Sequence, residues 1–196
     1  GSDRRTCRFL GASALWVLEN NEAVAKLAEA RLKLIANDHW ALNTLGIAAG
    51  RRGEFDAAEK HWQRLKSLDK ASPDVLSRLA WCALRHDPIP DWVLEDALKA
   101  NKQTQYTDPF LLYSLAAVYA ELGRTGEAHK TLLKCIEERS AGSPDSEDWY
   151  VLGRIAEQYS LPDIAVAAYR KVGEAKMPSA LAPHTRAQRR LKALGN

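Results

Sequence analysis

An all-helical chain of repeated antiparallel helix hairpins is the architecture that this 196-residue sequence predicts. Three observations predict it. Ala, Leu, Glu, Lys and Arg dominate, as helix propensity favours, and no stretch alternates convincingly between apolar and polar residues as a half-buried strand does. Apolar positions recur at helical spacing, for example Trp149, Leu152, Gly153 and Ala156, then Ile164, Ala165, Ala168, Tyr169 and Val172. Finally, a small residue following a leucine returns at a nearly constant interval along the chain.

The segments are separated by short breakers: GRRGEF, ASPD, HDPIPD, TDP, AGSPDSED and SLPD. Pro73, Pro109 and Pro162 stand at predicted helix starts, where a missing N–H costs nothing. Aligning the chain on Leu10-Gly11, Leu45-Gly46, Leu79-Ala80, Leu115-Ala116 and Leu152-Gly153 gives separations of 35, 34, 36 and 37 residues. Twelve positions beyond the small residue stand Ala23, Ala58, Ala128 and Ala165, and sixteen beyond stand Leu27, Trp62, Leu132 and Tyr169. Seven beyond, two units carry a turn glycine, Gly53 and Gly123. The units so defined run 4–38, 39–72, 73–108, 109–145 and 146–179, and 180–196 forms a closing helix. The third unit leaves the register: Pro88 and Pro90 lengthen its turn, and Ala97 and Ala100 stand in for the packing alanines. Residues 1–3 lie ahead of the fold. Gly1-Ser2, with no initiator methionine, reads as an expression remnant, so the natural N-terminus is expected to be missing.

Packing gives the pattern a reason. Two helices joined by a short turn must approach closely, and Gly or Ala on the first permits it. The alanine 12 residues on is expected on the facing helix, and the large residue at 16 is expected to fill space towards the next hairpin. One hairpin cannot bury its faces alone, so each unit relies on its neighbours.

The recurring Leu-Gly, Gly, Ala and aromatic positions resemble the tetratricopeptide repeat family, whose units are about 34 residues long. LNTLGIAAGRRGEFDAAEKHWQRLKSLD and the unit from Trp149 carry the resemblance best, and it covers nearly all of 4–179. It implies a right-handed superhelical α-solenoid of antiparallel helix hairpins, five repeats with a C-terminal capping helix, and a concave face lined by the first helix of each hairpin. Position by position, that face would take Arg5, Arg8 and Ala12, then Asn43, Ile47 and Arg51, then Ser77, Trp81 and Arg85. Tyr113, Ala117 and Glu121 follow, then Tyr150, Arg154 and Glu157. Partner binding is assigned to Arg8, Asn43, Ile47, Arg51, Ser77, Trp81, Arg85, Tyr113, Glu121, Tyr150 and Arg154. Trp, Tyr and Arg are enriched at binding hot spots, and guanidinium groups suit carboxylates and phosphates.

Other function classes find less support. The five histidines (His39, His61, His86, His129, His184) are dispersed without metal-ligand spacing, and no nucleotide or nucleophile motif is present. No enzyme activity, metal or cofactor is expected. The acidic pairs Glu137-Glu138 and Glu147-Asp148 read as solvated charge at helix ends. Cys7, Cys82 and Cys135 are odd in number, far apart and set in apolar helical patterns, so buried free thiols and a reducing, cytoplasmic setting are expected. No apolar run approaches the ~18 residues of a membrane span.

The net charge of +3 is uneven: the tail 183–196 holds Arg186, Arg189, Arg190 and Lys192 with no acid, against 24 basic and 25 acidic residues elsewhere. With Ala187, Leu191 and Leu194 as its apolar stripe, the tail reads as a capping helix whose polar face is basic. A chaperone-tail carboxylate clamp, as found in one branch of the family, would fall on Arg8, Ala12, Thr44, Asp74 and Arg78, and Asp74 would repel a carboxylate. The expected function is therefore a non-enzymatic adaptor or scaffold that binds a peptide or partner-protein segment in its groove. Pentatricopeptide-like binding of single-stranded RNA is the alternative from another class, disfavoured by variable unit lengths and modest charge. Self-assembly through exposed hairpin ends is a third, and the oligomeric state stays open.

Overall fold

The computed structural model describes residues 21–139, 142–174 and 182–195, and within them it holds ten α-helices and no strand. Arg5, Cys7, Arg8, Leu10, Gly11 and Ala12 lie outside the described residues. The chain divides into two compact units, 1–70 and 71–196.

In the first unit, α1 (Asn21–Leu34) packs on α2 (His39–Arg52), and α2 on α3 (Phe55–Ser67). Asp38 starts α2, its Oδ1 accepting from the Ala41 N–H at 2.9 Å, which satisfies one of the donors a helix start leaves open. Arg51 and Arg52 close the same helix, where its dipole favours cations. Gly53 then ends it in a left-handed conformation, φ 80°. The N–H of Glu54 returns to the Ala49 carbonyl at 2.9 Å, the closure in which glycine carries no Cβ penalty.

In the second unit, α4 (Pro73–Ala83) pairs with α5 (Trp92–Gln103), α6 (Pro109–Glu121) with α7 (Thr125–Glu138), and α8 (Asp148–Gln158) with α9 (Pro162–Arg170). The first helices lie side by side, α4 against α6 and α6 against α8, and α10 (Pro183–Ala193) packs on α8 and α9. Pro73, Pro109, Pro162 and Pro183 all stand in the first turn of their helices. Ser72 and Asp108 accept from the first turns of α4 and α6. The turn between α4 and α5 is long, residues 84–91, and it contains Pro88 and Pro90. Ala97 and Ala100 are buried behind it. Asn101 ties α5 to α6, its amide donating to the carbonyls of Ala97 at 2.9 Å and Leu111 at 3.0 Å.

Of the four alanines at the twelfth position, Ala58, Ala128 and Ala165 are fully buried, whereas Ala23 on α1 is only half-buried. What covers the glycines differs from the expectation. A Cβ placed on Gly153 would come within 2.6 Å of Tyr169 Cδ1, and one on Gly46 within 2.6 Å of Trp62 Cε2. At Gly46 and Gly153 the large residue at the sixteenth position is thus seated on the small residue of its own hairpin. Size is matched across the pair. Gly46 and Gly153 take an indole and a phenol ring, while Ala116 shares its hairpin with the smaller Leu132, itself buried.

Asp148 corrects another expectation. It is fully buried and ion-paired with Arg139, which also holds Asp145. The Asp145 N–H donates to Asp148 at 2.9 Å. Its partner in the sequence pair, Glu147, is exposed, as are Glu137 and Glu138. Cys82 and Cys135 are buried free thiols. Burial pushes the Cys135 thiol up to about 11, and it donates to the Pro109 carbonyl at 3.1 Å.

Two substitutions check this geometry by urea denaturation. Gly153→Ala is expected to destabilise by about 1–3 kcal/mol through overpacking against Tyr169, overriding a helix-propensity gain of about 1 kcal/mol. Ser160 occupies the left-handed turn position of α8/α9, φ 56°, where Gly53 and Gly123 stand in their own hairpins. Ser160→Gly is therefore expected to stabilise by about 1 kcal/mol.

Candidate functional site

The first helices of the second unit bring three predicted aromatics together. Trp81 on α4 lies 5.6 Å, centroid to centroid, from Tyr113 on α6 and 6.3 Å from Tyr150 on α8. The Tyr150 ring continues to Tyr169, 6.1 Å away, the residue seated on Gly153. Tyr113 and Tyr150 are buried and Trp81 is half-buried. Such tilted and edge-on arrangements suit the ring quadrupoles.

Beside the rings lies a charged cluster. The Tyr150 hydroxyl donates to Glu121 Oε1. Arg154, 13% exposed, pairs with Glu121 at 3.2 Å and with Glu157 at 3.1 Å. Glu157, 11% exposed, also accepts from the Tyr169 hydroxyl and from Arg190 of α10. Arg190 grips it through both nitrogens, Nε donating to Oε1 at 2.9 Å and Nη2 to Oε2, the bidentate geometry in which a guanidinium is strongest. Four residues earlier on α10, Arg186 stands 4.7 Å over the Trp81 ring. Its Nη2 donates to the Trp81 carbonyl at 3.1 Å.

Titration follows from these surroundings. Burial alone would raise the Glu157 carboxyl. The hydrogen bonds from Arg190 and Tyr169, with the charges of Arg154 and Arg190, outweigh it and hold Glu157 below its ordinary value. Burial raises the Tyr113, Tyr150 and Tyr169 hydroxyls, and the neighbouring carboxylates Glu121 and Glu157 add to the rise at the last two. All three phenols stay protonated at neutral pH and can act as donors.

The remaining predicted residues divide. Asn43, Ile47 and Arg51 lie along α2 of the first unit, and Asn43 is committed to Trp62, accepting from its indole N–H at 3.2 Å. Ser77 is buried and its hydroxyl has no hydrogen-bond partner. Arg85, in the turn that follows α4, donates back to the Cys82 carbonyl of that helix at 3.0 Å. Arg8 lies outside the described residues. At the clamp positions, Arg78 is paired with Asp74 at 2.9 Å and Thr44 is buried.

Sequence reasoning did not assign Tyr169, Arg186 or Arg190 to this site. The apolar stripe of α10 is as expected, with Ala187 and Leu191 buried. Its basic face is not simply solvated: Arg186 is 8% exposed. The available signal was the acid-free run of arginines spaced by four. Elsewhere in this unit a cavity of about 480 Å3 is lined by Tyr106, Leu112, Lys130, Thr131, Leu133, Lys134 and Glu137, none of them in the aromatic cluster. Among the described residues no group of His, Cys, Asp and Glu is placed to hold a metal ion, and no helix is long and apolar enough to cross a membrane.

Hairpin after hairpin, with an aromatic seated on a glycine 16 residues before it, the chain has the tetratricopeptide-repeat fold, an α-solenoid class. No family model and no curated protein matches it. Among solved structures, TTC0263, a thermophilic TPR protein of Thermus thermophilus, is 18% identical with a TM-score of 0.62, over 96% of this chain and 97% of that one. PilW, a type IV pilus biogenesis factor, is 14% identical with a TM-score of 0.67, over 96% and 92%. YrrB, described as a TPR protein with an unusual peptide-binding site, is 15% identical with a TM-score of 0.62, over 89% and 88%. At these identities the likeness is one of fold.

Because Glu157 is held below its ordinary value of 4.5, its contribution to stability is complete above about pH 4.5. It is lost as pH falls through the depressed folded value. Urea midpoints measured from pH 7 down to pH 3 should fall more steeply below pH 4.5 for the parent chain than for Glu157→Gln.

Proposed function

We propose that the chain is a non-enzymatic protein–protein interaction module whose 71–196 unit takes a peptide or partner-protein segment on the face of α4, α6 and α8. The observation that carries this reading is the convergence of Trp81, Tyr113 and Tyr150, from three successive first helices, beside Glu121, Arg154 and Glu157. Trp, Tyr and Arg are the residue types enriched at binding hot spots. A peptide-binding site described for YrrB, a protein of the same fold, agrees with it. On this reading 4–179 are five repeats and 180–196 their cap. The buried free thiols Cys82 and Cys135 accord with a reducing, cytoplasmic setting.

RNA binding is the weaker reading. Arg186 and Arg190 are engaged with Trp81 and Glu157 instead of forming an open basic track for phosphates. Peptide-display selection against the purified chain tests the proposal, with recovered peptides titrated by fluorescence anisotropy. Trp81→Leu, which keeps an apolar side chain in place, is expected to weaken them about tenfold or more. Binding unaffected by Trp81→Leu would overturn the assignment of the site. Tight, steeply salt-dependent RNA binding would overturn the peptide reading itself.

A further inference from the structure

We propose that α10 is an intramolecular occupant of this site, and that the partner the site takes is a protein helix presenting two arginines four residues apart, in the places of Arg186 and Arg190. The proposal rests on the interaction reading of the face of α4, α6 and α8, and it names both the partner chemistry and what holds the partner off.

The receptor side is suited to cations. Apart from α10, the cluster contributes two carboxylates, Glu121 and Glu157, against one guanidinium, Arg154. One negative charge is in excess within a half-buried setting. Trp81 offers a ring face to a cation and its own carbonyl as an acceptor. Arg186 uses both, 4.7 Å above the ring and 3.1 Å from the carbonyl oxygen. Arg190 uses the excess carboxylate through two nitrogens of its planar fork, which a lysine ammonium cannot reproduce. Residues four apart project from one face of a helix, so a single helix supplies both groups at once.

These polar groups add to a short apolar contact: Ala187 and Leu191 join the core of this unit and Leu194 packs against it, while Arg186 is the buried charged residue of the helix. The fit is also incomplete. Arg186 is 8% exposed and Tyr113 6% exposed, yet Arg186 Nε and the Tyr113 hydroxyl are buried without hydrogen-bond partners. Buried polar groups in a settled core are nearly always paired. Unpaired buried atoms also occur elsewhere in the chain, among them Asn101 Oδ1 and Arg139 Nε, so these two show only that the α10 contact is incompletely paired. A partner must then compete with α10, and its apparent affinity falls by the fraction of chains in which the site is filled.

The test uses the full chain and a fluorescein-labelled peptide of residues 182–195 added in trans. The peptide is expected to bind the Arg186→Ala/Arg190→Ala chain about tenfold or more tightly than the parent chain. Lysine in place of Arg186 and Arg190 of the peptide should remove most of that binding, and Glu157→Gln in the double variant should abolish the gain. Equal, weak binding to parent and double variant would overturn the proposal. If display-selected peptides still lost affinity on Trp81→Leu, the interaction reading would stand without it, and if they did not, both would fall. Should the double variant lose its cooperative melt, Arg190→Ala alone carries the test, with a smaller gain expected and no gain overturning the proposal. Arginine-dependent dimers of the parent chain in light scattering would show α10 docking on a second copy, which also overturns an intramolecular occupant.

Discussion

The seating of an aromatic ring on a glycine backbone is the constraint from which the rest of this structure follows. Gly46 under Trp62 and Gly153 under Tyr169 leave no room for even a methyl group, so each hairpin closes at a separation that its own sequence sets. Glycine weakens an isolated helix by about 1 kcal/mol relative to alanine. Complete burial of the Tyr169 ring offsets this, since burying a side chain of that size contributes about 1.5–3 kcal/mol. With the hairpin closed, the twelfth-position alanines meet the facing helix, and the first helices of successive hairpins can lie side by side.

Tyr169 also joins the scaffold to the site. One edge of its ring covers Gly153, and its hydroxyl donates to Glu157. Glu157 in turn holds Arg154 and Arg190. A carboxylate that takes part in a phenol bond and two guanidinium pairs is partly buried at little cost, because each lone pair has a partner. The position of Arg190, and with it α10, therefore depends on the same ring that closes the last hairpin. Hairpin packing and the charged cluster are not separable at this end of the chain.

The hairpins were legible because their signals are local. Helical spacing, prolines in first turns and the turn glycines Gly53 and Gly123 act within a few residues of one another. The small residue and the alanine 12 positions on recur in phase. Direction was less legible. The sixteenth-position residue was expected to fill space towards the next hairpin, and spacing did not show that Trp62 and Tyr169 also sit on the glycine before them, where no Cβ intrudes. Asp148 looked like solvated charge beside Glu147, but Arg139, nine residues earlier, draws it inward.

The candidate site was half legible. Trp81, Tyr113, Glu121, Tyr150 and Arg154 lie one helical step from the packing stripe and do converge, but Ser77 is buried and Arg85, beyond the end of α4, turns back to the Cys82 carbonyl. Sequence by itself determined the all-helical hairpin class and which residues share the first-helix face, since helix period and turn chemistry are properties of neighbours along the chain. Only the tertiary structure decided that α10, packed on α8 and α9, reaches that face, with Arg186 on Trp81 across 105 residues of sequence. No local spacing encodes the contact: it depends on where the last hairpin ends and on the partly buried Glu157 that pairs with Arg190, four residues beyond Arg186.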